Sequence, residues 1–173
     1  MIRILSSRTA LVDNKGVIMP DWFTFLTDWV KQFNKRSVAY STSATSVTGS
    51  TALTEAYSAN CTPGNTGSVR MVINTTSTSN ANAKTVIVKA GSVTIATIAI
   101  SNNTAFQSCS LMITGRAANS QYMAVTGLLN CTVSPAALTF DMSGAVTFTV
   151  SLQLANSADT VALQSFSLDV ESA

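Results

Sequence analysis

From about residue 54 onward the chain alternates apolar and polar side chains with a period of two, and that alternation admits strands and little else. The clearest run puts Val146, Phe148, Val150, Leu152 and Leu154 on one face and Thr147, Thr149, Ser151 and Gln153 on the other. Successive side chains of an extended chain point to opposite faces, so this spacing describes an antiparallel strand buried on one side and wet on the other. Val69, Met71 and Ile73 repeat the pattern with Arg70 outward, and Cys109, Leu111 and Ile113 repeat it again. Residues 85–89 and 93–100 flank Ala90-Gly91-Ser92, a hairpin signal. About eight strands separated by polar turns are predicted, the spacing of a β-sandwich or jelly roll over residues 54–173.

The closing stretch 161–170 breaks the rule. Phe166, Leu168 and Val170 share one face, while strict alternation sends Val161 and Leu163 to the other. Either a bulge switches the faces, or the start of the strand is buried against a neighbouring subunit, which would make Val161 and Leu163 subunit contacts.

Nothing in the first 36 residues has the period of two. Trp22, Phe25, Leu26, Trp29, Val30 and Phe33 fall at i, i+3, i+4, i+7, i+8 and i+11, one stripe of an amphipathic α-helix predicted from Pro20 to Phe33. Pro20 suits a first turn that has no N–H to lose; Asp21 precedes the stripe, and Lys31, Lys35 and Arg36 follow the helix dipole toward its C-terminal end. Before it, Asp13-Asn14-Lys15-Gly16 reads as a turn between two short apolar runs. Both tryptophans of the protein lie on the stripe. Burying each aromatic is worth roughly 1.5–3 kcal/mol, and an arm of this size cannot cover its own stripe. Residues 1–36 are therefore expected to be an arm and anchor helix whose apolar face docks on a partner, and residues 37–53, rich in Ser and Thr, a linker.

Composition excludes several functions. Only 10% of the residues are charged, against about 25% in an ordinary soluble domain. The net charge is +2, with six basic and three acidic residues in 1–40 and four and five in 41–173, so neither part has the basic field that nucleic-acid binding needs. No apolar run reaches the roughly 18–20 residues of a membrane span, and the first residues lack the apolar core of a secretory signal. Four Asn-x-Ser/Thr triplets begin at Asn60, Asn74, Asn102 and Asn130; in a chain so rich in these residues they are expected by chance, not as glycosylation sites. There is no histidine, and Cys61, Cys109 and Cys131 are too widely spaced for a zinc site, so buried thiols are expected, with no metal and no cofactor. Catalysis is not expected either. The one pair of carboxylates at strand spacing, Asp169 and Glu171, reads as solvated rather than as a glycosidase pair. Arg70, Lys84, Lys89 and Arg116 read as outward charges that protect strand edges, in preference to a patch for anionic polysaccharide. Tyr40, Tyr57 and Tyr122 show no clustering for sugar stacking.

The run 11–26, Leu-Val-Asp-Asn-Lys-Gly-Val-Ile-Met-Pro-Asp-Trp-Phe-Thr-Phe-Leu, resembles the N-terminal element of tailed-bacteriophage virion proteins: a Val-Asp, a turn with Gly, a Pro-x-Trp and an aromatic helix. Residues 84–88, Gly91, residues 95–96, 113–116 and 159–170 are similar to the jelly-roll domains of phage fibre and spike proteins. The stretch 106–111 departs from that pattern, because members commonly carry a Trp-Arg pair in the middle strand. The resemblance implies a structural protein of the virion, assembled in the host cytoplasm: a homotrimeric short tail or head fibre that docks by its N-terminal segment to tail, portal, adaptor or capsid proteins. Its β-domain would project for host attachment, a cell-surface glycan being one partner, or serve as the base of a receptor-binding protein. A head-decoration or capsid cement protein is the alternative.

Overall fold

The computed structural model describes residues 35–171 apart from 101, 118–119 and 136–138; the predicted helix and its stripe Trp22, Phe25, Leu26, Trp29, Val30 and Phe33 lie outside the described residues. Within them the chain forms eleven strands and no helix. These are β1 (Lys35–Ser41), β2 (Thr45–Thr48), β3 (Thr54–Cys61), β4 (Ser68–Ser77), β5 (Lys84–Ala90), β6 (Val93–Ile100), β7 (Phe106–Ala117), β8 (Ser120–Leu129), β9 (Cys131–Pro135), β10 (Val146–Leu154) and β11 (Thr160–Glu171). They make two antiparallel sheets, in the order β1-β11-β4-β7-β8 with β2 also on β11, and β3-β10-β5-β6-β9. The pairs are nested: β2 joins β11, β3 joins β10, β4 joins β7 and β5 joins β6. The consecutive strands β8 and β9 then extend one sheet each, β8 beside β7 and β9 beside β6.

Inward side chains of both sheets form one core in which Phe148, Phe166, Met71, Leu111, Ile113, Leu152 and Leu168 are fully buried. The expected alternation is realised on β10 and β4, whose apolar residues face that core, a sandwich with one wet side to each sheet. Tyr57 on β3 meets Phe166 on β11 with ring centroids 4.9 Å apart, a contact between the facing sheets. Cys61 and Cys109 are buried, as expected, and burial pushes the Cys61 thiol up to about 11.

Of the five described residues with left-handed backbone, Gly91 and Asn130 each close a tight connection between consecutive strands. The hairpin β5–β6 closes through Gly91 and Ser92, with Ala90 opposite Val93 and φ of +57° at Gly91, the first central position where such a turn wants glycine. A single residue, Asn130, also at φ +57°, separates the end of β8 in one sheet from the start of β9 in the other. Asn tolerates that conformation, and its Nδ2 donates to the Phe106 carbonyl at 2.9 Å.

Two expectations need correction. Along β11 the register to β4 passes from Leu163 opposite Thr75 to Ser165 opposite Asn74, so Gln164 is an extra residue and the face switches there. Val161 (0% exposed) and Leu163 (2%) thereby join Phe166, Leu168 and Val170 in the chain's own core, and they are not subunit contacts. The stretch 37–53, read as a linker, contains most of β1 and all of β2. Val47 of β2 is a core residue, and β2 pairs with residues 160–163 of β11, leaving the rest of that edge to β1. The low apolar content of 37–53 concealed short edge strands that need only one or two inward residues.

Candidate functional site

The β4–β5 loop (78–83), the β6–β7 loop (102–105) and the β10–β11 loop (155–159) meet at one end of the sandwich. Backbone bonds tie them: Ser77 N donates to Ala105 O, Thr78 N to Thr160 O, Asn103 N to Asn80 O and Ala155 N to Ala83 O, at 2.9–3.0 Å. Beneath them sits a charged pair. Lys84 opens β5 on the inward register of Val86, Val88 and Ala90 and is 3% exposed. Its ammonium donates to Asn80 Oδ1 at 2.7 Å and to the Asn82 carbonyl at 2.8 Å, and lies 4.0 Å from Asp159 Oδ2. Asp159, also 3% exposed, accepts from Asn80 Nδ2 at 2.6 Å and from Asn82 Nδ2 at 2.9 Å. Those two amide donors hold its carboxyl below the usual carboxylate range; burial pushes the other way, and the Lys84 charge adds a smaller pull downward. A buried charge is tolerated only when paired and hydrogen-bonded, and here both are.

A neutral counterpart stands beside this pair. Gln107, 2% exposed on β7, accepts from Thr75 Oγ1 and donates from Nε2 to Ser77 Oγ, Thr104 O and Thr104 Oγ1, all within 3.1–3.2 Å. The donors and acceptors of both groups are turned on one another, which makes them clasps between loops rather than a surface that receives a ligand. The signal in the sequence was Asn80-Ala81-Asn82-Ala83-Lys84, amides at strand spacing leading to a Lys on the first inward position of a strand.

The opposite end is closed by backbone. Gly115 N donates to Gly67 O at 2.9 Å, and a Cβ on Gly67 would run into the Pro63 carbonyl, one on Gly115 into the Asn65 carbonyl. Gln121 on β8 reads both polar groups of the Phe140 backbone, donating to its carbonyl at 2.6 Å and accepting from its N–H at 3.3 Å, and the Phe140 ring meets Phe148 edge-on at 6.2 Å. An open depression of about 430 Å³ lies here between the β5–β6 hairpin and residues 139–147. Among the described residues of its wall the one carboxylate, Asp141, accepts from Ser143 within its own loop, which lowers its pKa.

The residues singled out from the sequence do not converge. Lys84 is inward, a correction to the outward reading, because its ammonium has partners beneath the loops. Arg70 and Arg116 belong to one sheet, Lys89 to the other, so the four cations form no patch. Asp169 and Glu171 do share the outer face of β11, Asp169 directly opposite Arg70. Tyr57 faces the core, Tyr40 is 67% exposed on β1, and the side chain of Tyr122 lies outside the described residues. Among the described residues no three metal-ligating side chains come together.

The outer faces of the two sheets differ. Facing out from β10, β5 and β6 are Thr147, Thr149, Thr85, Ile87, Lys89, Thr94 and Thr97; Ile87 is half-buried, and among the described residues no large apolar side chain is fully exposed there. On the other sheet Phe106 (44%), Met112 (41%) and Leu129 (48%), three of the five large apolar side chains exposed among the described residues, stand on β7 and β8. No family model matches this sequence, and no curated protein matches it.

Proposed function

We propose that the chain is a structural protein of a tailed-bacteriophage virion, a short tail or head fibre fastened by its N-terminal segment and presenting a homotrimeric jelly-roll domain. The nested strand pairing supports the jelly roll, since folding one long hairpin over itself produces that order. The single observation that carries the anchoring role is the contrast between the two parts of the sequence. The β-domain fills its core with its own side chains from Val47 to Val170, whereas the spacing of Trp22, Phe25, Leu26, Trp29, Val30 and Phe33 predicts an apolar stripe that a segment as short as residues 1–36 is not expected to cover by itself. The protein acts by binding, and attachment to the host or support of a receptor-binding protein follows from the projecting domain.

Removing residues 1–34, which leaves β1 whole, tests this. The shortened chain is expected to stay folded and soluble but to be missing from assembled particles, as is the full chain carrying Trp22→Ala and Trp29→Ala. Incorporation of the shortened chain at the normal level, or its aggregation, would overturn the anchoring role.

A further inference from the structure

We propose that Lys84 and Asn80 are the partners of a self-formed amide cross-link: the Lys84 amine displaces ammonia from the Asn80 side chain, with the Asp159 carboxylate carrying the protons. The site is the clasp beneath the β4–β5 and β10–β11 loops, and the inference stands apart from any role in a virion.

The three groups already stand in reacting order. Lys84 Nζ is 2.7 Å from Asn80 Oδ1, so with a carbonyl bond of about 1.23 Å it is at most about 3.9 Å from the carbon to be attacked. That is within about 1 Å of the roughly 3–3.5 Å separation at which a held nucleophile gains most over a free one. Asp159 touches both reactants: its Oδ1 accepts from Asn80 Nδ2, the leaving nitrogen, at 2.6 Å, and its Oδ2 lies 4.0 Å from Lys84 Nζ. The same Oδ2 is held by Asn82 Nδ2 at 2.9 Å. Those amide donors keep the Asp159 carboxyl ionised at neutral pH, the state that accepts a proton. Lys84 and Asp159 are each 3% exposed, which keeps bulk water from the proton path, while Asn80 is half-buried and leaves ammonia a way out.

The step balances within the chain. Asp159 takes a proton from the Lys84 ammonium, and the neutral amine adds to Asn80 Cγ. Asp159 passes that proton to Asn80 Nδ2 and takes another from the added nitrogen. The Cγ–Nδ2 bond then breaks, and ammonia leaves with the second proton as ammonium. One C–N bond replaces another, no oxidant or reductant is needed, and Asp159 ends as the carboxylate it began. A buried ammonium is exchanged for a neutral amide, whose remaining N–H takes the place of Asn80 Nδ2 as a donor to Asp159. Escape of ammonia into solvent makes the exchange one-way.

The test weighs the full chain by mass spectrometry, freshly made and after days folded at neutral pH, and maps its tryptic fragments. Wild type is expected to lose the mass of one ammonia. Lys84 then resists the protease, so the loss sits in an uncut fragment 71–89 whose fragmentation shows Asn80 and Lys84 joined. Lys84→Arg keeps the cation and is expected to keep its full mass, and Asp159→Ala should lose ammonia at least about 100-fold more slowly. A wild-type mass equal to that of the sequence overturns the proposal. So does the same loss in Lys84→Arg, which would mark an Asn cyclised on its own backbone. Loss of water, with fragment 71–89 joined to residues 117–173, would make Asp159 the acceptor and overturn Asn80 in that role. An unchanged rate in Asp159→Ala overturns the part given to Asp159. Should that variant fail to fold by circular dichroism, the wild-type map and Lys84→Arg still decide whether the link forms.

Discussion

One end of this sandwich is closed by side chains and the other by their absence. Where the β4–β5, β6–β7 and β10–β11 loops meet, closure depends on what Lys84, Asp159, Asn80, Asn82 and Gln107 carry. Where the β3–β4 loop crosses Gly115, it depends on backbone approaching backbone, and one methyl group is too many. The two ends should therefore fail differently: the first when a charge or an amide is removed or titrated, the second when bulk is added or the aromatic pair beneath it is emptied.

The largest expected effect is at the second end. Phe148→Ala removes a fully buried ring against which Phe140 is seated and should cost about 3–5 kcal/mol in denaturant unfolding. A loss under about 1 kcal/mol would mean that Phe140 and its loop relax into the space, and that this end is not packed as described. Next come Gly67→Ala and Gly115→Ala, each expected to cost about 1–3 kcal/mol through overpacking against a carbonyl that cannot yield. Gly144→Ala, in open space and without a left-handed backbone, should change stability by less than about 0.5 kcal/mol. Equal costs at all three positions would erase the distinction.

The first end should show itself through pH. The Asp159 carboxyl titrates below its ordinary value of 3.8 in the folded chain, so its stabilisation is fully present above that value and fades as pH falls through the lower, folded one. Asp159→Asn sets an amide against two amide donors and should melt lower than wild type at neutral pH. The gap between the two melting temperatures should narrow as the solution is acidified below the ordinary carboxylate pKa. Asp141, whose pKa is also lowered, is present in both proteins and cancels in the difference. Parallel curves down to strong acid would show that Asp159 does not report on this end.

Much of the β-domain was legible because burial on one side of a strand writes itself as alternation. Val146 to Leu154 and Val69 to Ile73 needed no other information. Alternation fails where the backbone departs from it, and Gln164 is the example: one extra residue reverses the face of everything before it, and only the partner strand's register reveals which residue is extra. β1 and β2 were hidden for another reason, since an edge strand with a single core residue such as Val47 has nothing periodic to display. The clasp at Lys84 and Asp159 escaped notice because its members are 75 positions apart in sequence, and a Lys leading a strand looks the same whether it turns out or in. Lone charges in a chain with so few of them carry more structural meaning than the usual reading of surface charge allows.

The nest of strand pairs also sets the tempo at which the molecule can be made. Its outermost layer joins the front of the domain to the back, as in the bond from Thr48 Oγ1 to the Asp159 carbonyl across 111 positions. While a ribosome is still translating the middle of the gene, β1 and β2 have no neighbour to lie against, and they stay unzipped until β11 emerges. Barrels of such long-range wiring mature on a scale of about milliseconds to seconds, far behind helical proteins of equal size. The front segment is thus synthesised first, yet the body behind it is finished last.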